Sequence, residues 1–117
     1  MRSSKSRGAF TLVEIMIVIA IIGLLAAVAV PNFLKARTTA QKNSCLANLR
    51  LVDSTVQQWA LEMKMSSTGI YTLSDAGLMG YFKGSVLPGC PGGGGYIAGD
   101  TVALPPSCTL STLGHTL

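Results

Sequence analysis

From Phe10 to Val30 the chain runs 21 residues with a single ionisable side chain, Glu14. As an α-helix this run would measure about 31 Å, the hydrocarbon thickness of a bilayer, so it can span one. A charge placed in hydrocarbon costs about 2.5 kcal/mol or more. Glu14 therefore needs a partner, or a position at headgroup level, where charges flanking a span are ordinary.

The rest of the composition agrees with a membrane-linked chain. Hydrophobic residues make up 49% and charged residues 12%, against about a quarter charged in soluble domains. Nine Lys and Arg face five Asp and Glu, but Arg2, Lys5 and Arg7 all precede Gly8. The basic balance thus belongs largely to a topogenic leader that favours a cytoplasmic N-terminus, and it does not describe a nucleic-acid-binding surface. A cleavable secretory signal is the rival reading, with Ala27-Val28-Ala29 as its cleavage site. Its apolar core would be longer than the usual stretch of about 7–15 residues. The chain also continues past Pro31 into a helical pattern with no glycine until Gly69.

In that continuation Cys45, Leu49, Val52, Val56, Trp59 and Met63 recur every three or four residues. This is the apolar stripe of an amphipathic helix that needs a layer to pack on. Pro31 lacks an amide hydrogen and is expected to kink the helix or open a turn near residues 27–31.

The stretch Arg7-Gly8-Ala9-Phe10-Thr11-Leu12-Val13-Glu14, followed by an aliphatic helix, resembles the N-terminus of type IV pilins and type II secretion pseudopilins. The resemblance is close over Arg7 to Arg37. It implies that a prepilin peptidase cuts on the cytoplasmic side after a Gly and methylates the new amine, and that the subunit then polymerises with its apolar helices inside a helical filament. Ala9 departs from the usual order, in which Phe follows the Gly directly. Cutting between Gly8 and Ala9 suits the peptidase's residue preference; cutting between Ala9 and Phe10 places Glu14 fifth and Pro31 twenty-second, as in the family.

The resemblance also gives Glu14 a partner, the N-terminal amine of a neighbouring subunit. Opposite charges about 4 Å apart attract by about 4 kcal/mol at an effective dielectric near 20, which offsets much of the burial cost. Gly23, Ala26, Ala27 and Ala29 allow helices to approach closely. Gly23 and Pro31 bracket a stretch that, by resemblance, can melt on assembly.

After Met65 the pattern changes. Asp75 followed by Ala76-Gly77-Leu78-Met79 reads as a capped short helix, and Tyr96-Ile97-Ala98 and Thr101-Val102-Ala103 flank Gly99-Asp100 as a tight hairpin. Cys90-Pro91-Gly92-Gly93-Gly94-Gly95 reads as a mobile link; without a Gly-Lys-Ser/Thr ending it is not a phosphate loop. An exported chain meets oxidising conditions, so a Cys90–Cys108 disulfide is expected, worth about 3 kcal/mol, with Cys45 left as a buried thiol; pairing of Cys45 with either of the other two is the alternative. Zinc held by Cys45, Cys90, Cys108 and His115 is the rival, and it lacks a Cys-x-x-Cys pair. A calcium cage would need more carboxylates than Asp100 alone. No metal and no cofactor are expected. Short pilin-like proteins also share Asn48-Leu49-Arg50, Trp59-Ala60-Leu61-Glu62, Pro106-Ser107-Cys108 and Gly114-His115.

The expected fold is α+β and pilin-like: a long N-terminal helix packed on a small antiparallel β head. Its expected divisions are a leader at 1–8, a transmembrane and assembly helix at 9–34, an amphipathic helix at 35–65 and a loop-rich head at 66–117. No catalytic constellation is present, and the expected function is a homo-oligomeric type IV pilus subunit. The alternatives are a type II secretion pseudopilin and a DNA-uptake competence pilin. Expected partners are prepilin peptidase, an assembly platform and the inner membrane, with the mature form in a periplasmic or surface filament. DNA has little support, because the basic residues are scattered.

Overall fold

A computed structural model describes residues 8–117. Of the expected leader, everything before Gly8 lies outside the described residues. The first element, α1, is a single helix over Leu12–Glu62.

Its start is written locally. Thr11 occupies the N-cap: the Glu14 amide donates to Thr11 Oγ1 at 3.2 Å, and the Thr11 amide donates back to Glu14 Oε2 at 2.8 Å. This reciprocal pair is a capping box, which satisfies two donors that a helix start otherwise leaves open. The helix continues through Pro31 rather than breaking there. At its other end the Met65 amide bonds the Ala60 carbonyl at 2.9 Å and the Lys64 amide bonds the Leu61 carbonyl at 3.2 Å. That is a Schellman ending, with Lys64 in the left-handed region at φ 52° where glycine is usual.

The described chain divides into two compact units, one ending at Ala36 and the other running Arg37–Leu117. In the first, every described residue is exposed, including the whole aliphatic run from Leu12 to Leu34. Its share of α1 is long and apolar enough to cross a membrane. Gly23 borders open space, so the small-residue surface is free for a close neighbour.

In the second unit the α1 stripe is buried as its spacing predicts, through Cys45, Leu49, Val52, Val56 and Trp59. Met63 departs from it: it falls just past the helix end and is exposed. The stripe feeds two clusters. Val52, Val56, Trp59 and Ala60 pack with Tyr71, Leu78, Phe82 and Val102, while Cys45 and Leu49 pack with Cys90 and Cys108. Leu78 comes from the short helix α2, Ala76–Met79, whose N-cap Asp75 accepts from the Gly77 amide at 2.8 Å, as expected.

The head's sheet is a two-stranded antiparallel pair, β1 at Tyr96–Ile97 and β2 at Ser107–Cys108, with Tyr96 opposite Cys108. The fold is therefore α+β, but Thr101–Ala103 is not the partner strand of a tight hairpin. Its backbone is engaged elsewhere: the Val102 amide bonds the Gly69 carbonyl, the Ala103 amide bonds the Ser67 carbonyl, and Gln57 of α1 donates to the Val102 carbonyl at 2.6 Å. Val102 is thereby fixed in the core, and the turn between the strands becomes a long loop.

Candidate functional site

The N-terminal motif folds as one turn. Thr11 Oγ1 also lies 3.1 Å from Glu14 Oε2, so the carboxylate sits over the helix start with Thr11 as its partner on both backbone and side chain. Glu14 and Phe10 are exposed beside Ile15, Ile17 and Val18. The Thr-x-x-Glu spacing is a capping signature readable in the sequence. Thr11 is the motif residue that an account based on charge alone passes over. Gly8, Ala9 and Phe10 form an irregular, exposed approach to the helix, a form in which a peptidase can reach the backbone.

A second constellation lies in the second unit. Cys45 stands on the buried face of α1. One turn to either side, Asn48 Nδ2 donates to the Gly89 carbonyl at 3.1 Å and Gln41 Nε2 donates to the Pro91 carbonyl at 3.3 Å. These two amides straddle Cys90 and hold its backbone against the helix. Cys108 comes from β2. His115 follows the 3₁₀ turn Ser111–Leu113, which Gly114 closes in the left-handed conformation at φ 83°.

The four side chains are all buried, and their ligand atoms lie within 4.8 Å of one another. Cys90 Sγ and His115 Nδ1 are 3.4 Å apart. Cys90 and Cys108, expected as a disulfide, are free thiols, as is Cys45. His115 is 6% exposed. Nothing local in the sequence marks the turn that folds His115 inward.

In the glycine run after Cys90, expected as a mobile link, Gly92 and Gly94 lie against this cluster while Gly93 faces open space. A Cβ at Gly92 would meet His115 Cε1 and Leu110 Cδ1 at 3.1 Å each, and one at Gly94 would meet Cys108 Sγ at 3.1 Å and Leu110 Cγ at 2.8 Å. Without side chains there, the Gly92 and Gly94 amides reach the Cys90 sulfur, and the Leu110 amide reaches Cys108 Sγ at 3.5 Å.

Burial pushes the Cys45 thiol well above the usual thiol range, and the neighbouring Cys90 sulfur acts in the same direction. Burial also opposes ionisation of Cys90, but the Cys45 thiol, the two glycine amides and His115 together outweigh it and lower Cys90. The set thus carries one sulfur prepared to be a thiolate beside one that holds its proton. Next to Cys45 and Asn48, the buried Tyr96 hydroxyl makes no hydrogen bond of regular geometry. A surface pocket of about 300 Å³, lined by Thr38, Gln41, Gly92, Leu110, Leu113 and His115, opens beside the imidazole.

Residues 4–30 match the family described as the prokaryotic N-terminal methylation motif. The chain is 50% identical over 46 residues to the type IV major pilin protein PilA of Myxococcus xanthus, covering 39% of this chain and 20% of that one. It is 32% identical over 88 residues to the type II secretion system core protein G of Escherichia coli, covering 75% of this chain and 57% of that one. To the type IV wide pilus major component PilA4 of Thermus thermophilus it is 42% identical over 79 residues, 68% of this chain and 54% of that one. The chain spans little more than half the length of the two relatives it matches over most of its own length, and a fifth of the first. No solved structure matches it.

Proposed function

Because the chain belongs to the family of type IV pilins and type II secretion pseudopilins, we propose that it is a structural subunit, clipped by prepilin peptidase and polymerised through its apolar helix into a type IV pilus filament. One observation carries this reading: the aliphatic face of α1 from Leu12 to Leu34 is wholly exposed, and its only charge, Glu14, lies in the first turn. In lipid that face is satisfied; in a filament the same face can be covered by further copies, packed closely at Gly23 and the alanines.

Processing falls at Gly8, Ala9 or Phe10, and either cut leaves the new amine within two residues of Thr11. Glu14 then has a cationic partner in the neighbouring subunit's amine, at the same membrane depth. The precursor resides in the inner membrane and the mature form in a filament reaching the periplasm or surface. The pseudopilin reading is supported by core protein G relatives that are 30–35% identical over 67–75% of this chain. Filaments sheared from the cell surface favour the pilus; subunits retained in the envelope favour the pseudopilus.

The capping box makes the test sharper than loss of the residue alone. Glu14→Gln keeps a side chain able to cap Thr11 but removes the charge, whereas Glu14→Ala removes both. Both variants are expected to insert in the membrane and lose their leader, and neither is expected to yield filaments in electron micrographs of sheared material. Normal filaments from Glu14→Gln would leave capping as the residue's only role and refute the charge pairing.

A further inference from the structure

We propose that Cys45, Cys90, Cys108 and His115 form a tetrahedral site for a zinc ion, a set of three thiolates and one imidazole that fastens the head to α1. The donor chemistry is that of a structural zinc centre, since thiolate and imidazole ligands in fourfold array select zinc over hard cations. The spacing fits. With Zn–S near 2.3 Å and Zn–N near 2.0 Å, the edges of a tetrahedron are about 3.8 Å between sulfurs and about 3.5 Å from sulfur to nitrogen. The four ligand atoms here lie within 4.8 Å of each other, and the sulfur–nitrogen edge between Cys90 and His115 is 3.4 Å. Contraction about an ion closes the remainder without moving any backbone element far.

Three features of the surroundings suit a metal better than a patch of apolar core. The Gly92, Gly94 and Leu110 amides reach the Cys90 and Cys108 sulfurs, the outer shell that stabilises a metal-bound thiolate and that an uncharged thiol does not need. The buried Tyr96 hydroxyl stands beside Cys45 without a hydrogen bond of regular geometry, where a thiolate sulfur would accept one from it. Lys42 lays its ammonium across Gly114, next to His115, and so places a positive charge near a centre whose net charge would be −1. A disulfide would use two of the three sulfurs and leave the third, with His115, buried to no purpose. The pocket at His115 supplies a way in.

Binding is an exchange without redox change. Zinc enters as the dication, three thiol protons leave to solvent, three Zn–S bonds and one Zn–N bond form, and His115 stays neutral.

The test uses the full chain in detergent, reduced, stripped by chelator and titrated with Zn²⁺ or Co²⁺. We expect one metal per chain, the intense visible bands and sulfur-to-cobalt charge transfer of a tetrahedral thiolate site, and protection of all three cysteines from alkylation until a chelator is added. Cys45→Ser and His115→Gln are each expected to weaken zinc in competition with a chromophoric chelator by more than the about 10–100-fold lost with outer-shell partners. Should either variant fail to fold, the titration of the unaltered chain still decides. If the reduced chain takes up no metal in tetrahedral form, or takes it up equally without Cys45, the site is refuted. Protein isolated without metal, with an intact mass short of two hydrogens and a Cys90–Cys108 peptide, would replace it with the disulfide. None of these results bears on whether the chain forms filaments.

Discussion

Lys64 illustrates how one side chain can sit in the wrong backbone well and be held there. Its φ of 52° closes the Schellman turn that ends α1, and a β-carbon in that region costs about 1 kcal/mol or more that glycine does not incur. Lys64→Gly should therefore stabilise the second unit by about 1 kcal/mol, read as a higher urea midpoint followed by Trp59 fluorescence; an unchanged or lower midpoint would show that the lysine stem contributes contacts worth as much. Glu14 is the opposite case, a residue whose local use is complete. Its carboxylate already accepts from Thr11, so any pairing with a neighbour's amine must compete with, or add to, a cap worth about 1 kcal/mol. Thr11→Ala separates the two, since it weakens the cap while leaving the charge.

At the scale of elements, α1 carries one built-in defect. Pro31 has no amide hydrogen, so the Ala27 carbonyl has no donor four residues on, although the helix passes through both. Opening the helix between Gly23 and Pro31 therefore forfeits one hydrogen bond fewer than opening it elsewhere. Pro31→Ala should slow amide exchange over residues 27–34 in detergent; equal exchange in the two proteins would show that packing in the micelle, not the ring, sets local stability. The buried stripe of α1 was legible because helical periodicity is a local property of the chain, and Cys45 to Trp59 obey it. Asp75 before Ala76 was legible for the same reason, being a short-range signal with one structural meaning. Met63 escaped because a lysine, not a glycine, marks the helix end. The strand partner of Tyr96 was misplaced because Gly99-Asp100 looks like a two-residue turn, whereas the Val102 amide is claimed by Gly69, far away in sequence. The four-residue cluster had no local signature at all. Its members come from a helix face, a glycine loop, a strand and a terminal turn, and only docking of the head on α1 brings them together.

For the whole molecule, the two units call for different solvents. The first exposes aliphatic side chains at nearly every position of its helix, while the second buries its own in two clusters. The full chain should accordingly collect in the detergent-rich layer on cloud-point separation, and recovery in the water layer would count against a lipid-facing helix. After Gly95, regular structure amounts to two paired dipeptides and one short 3₁₀ turn, too few backbone bonds to keep such a segment from fraying. Beyond the bonds that fix Val102 and Ala103, what gives this tail a definite course is the handful of sulfurs and the imidazole that gather at its turns. Much of its shape is inherited from side chains, and chemistry that alters them would loosen the backbone with only a two-residue strand pair and a few loop bonds to resist it.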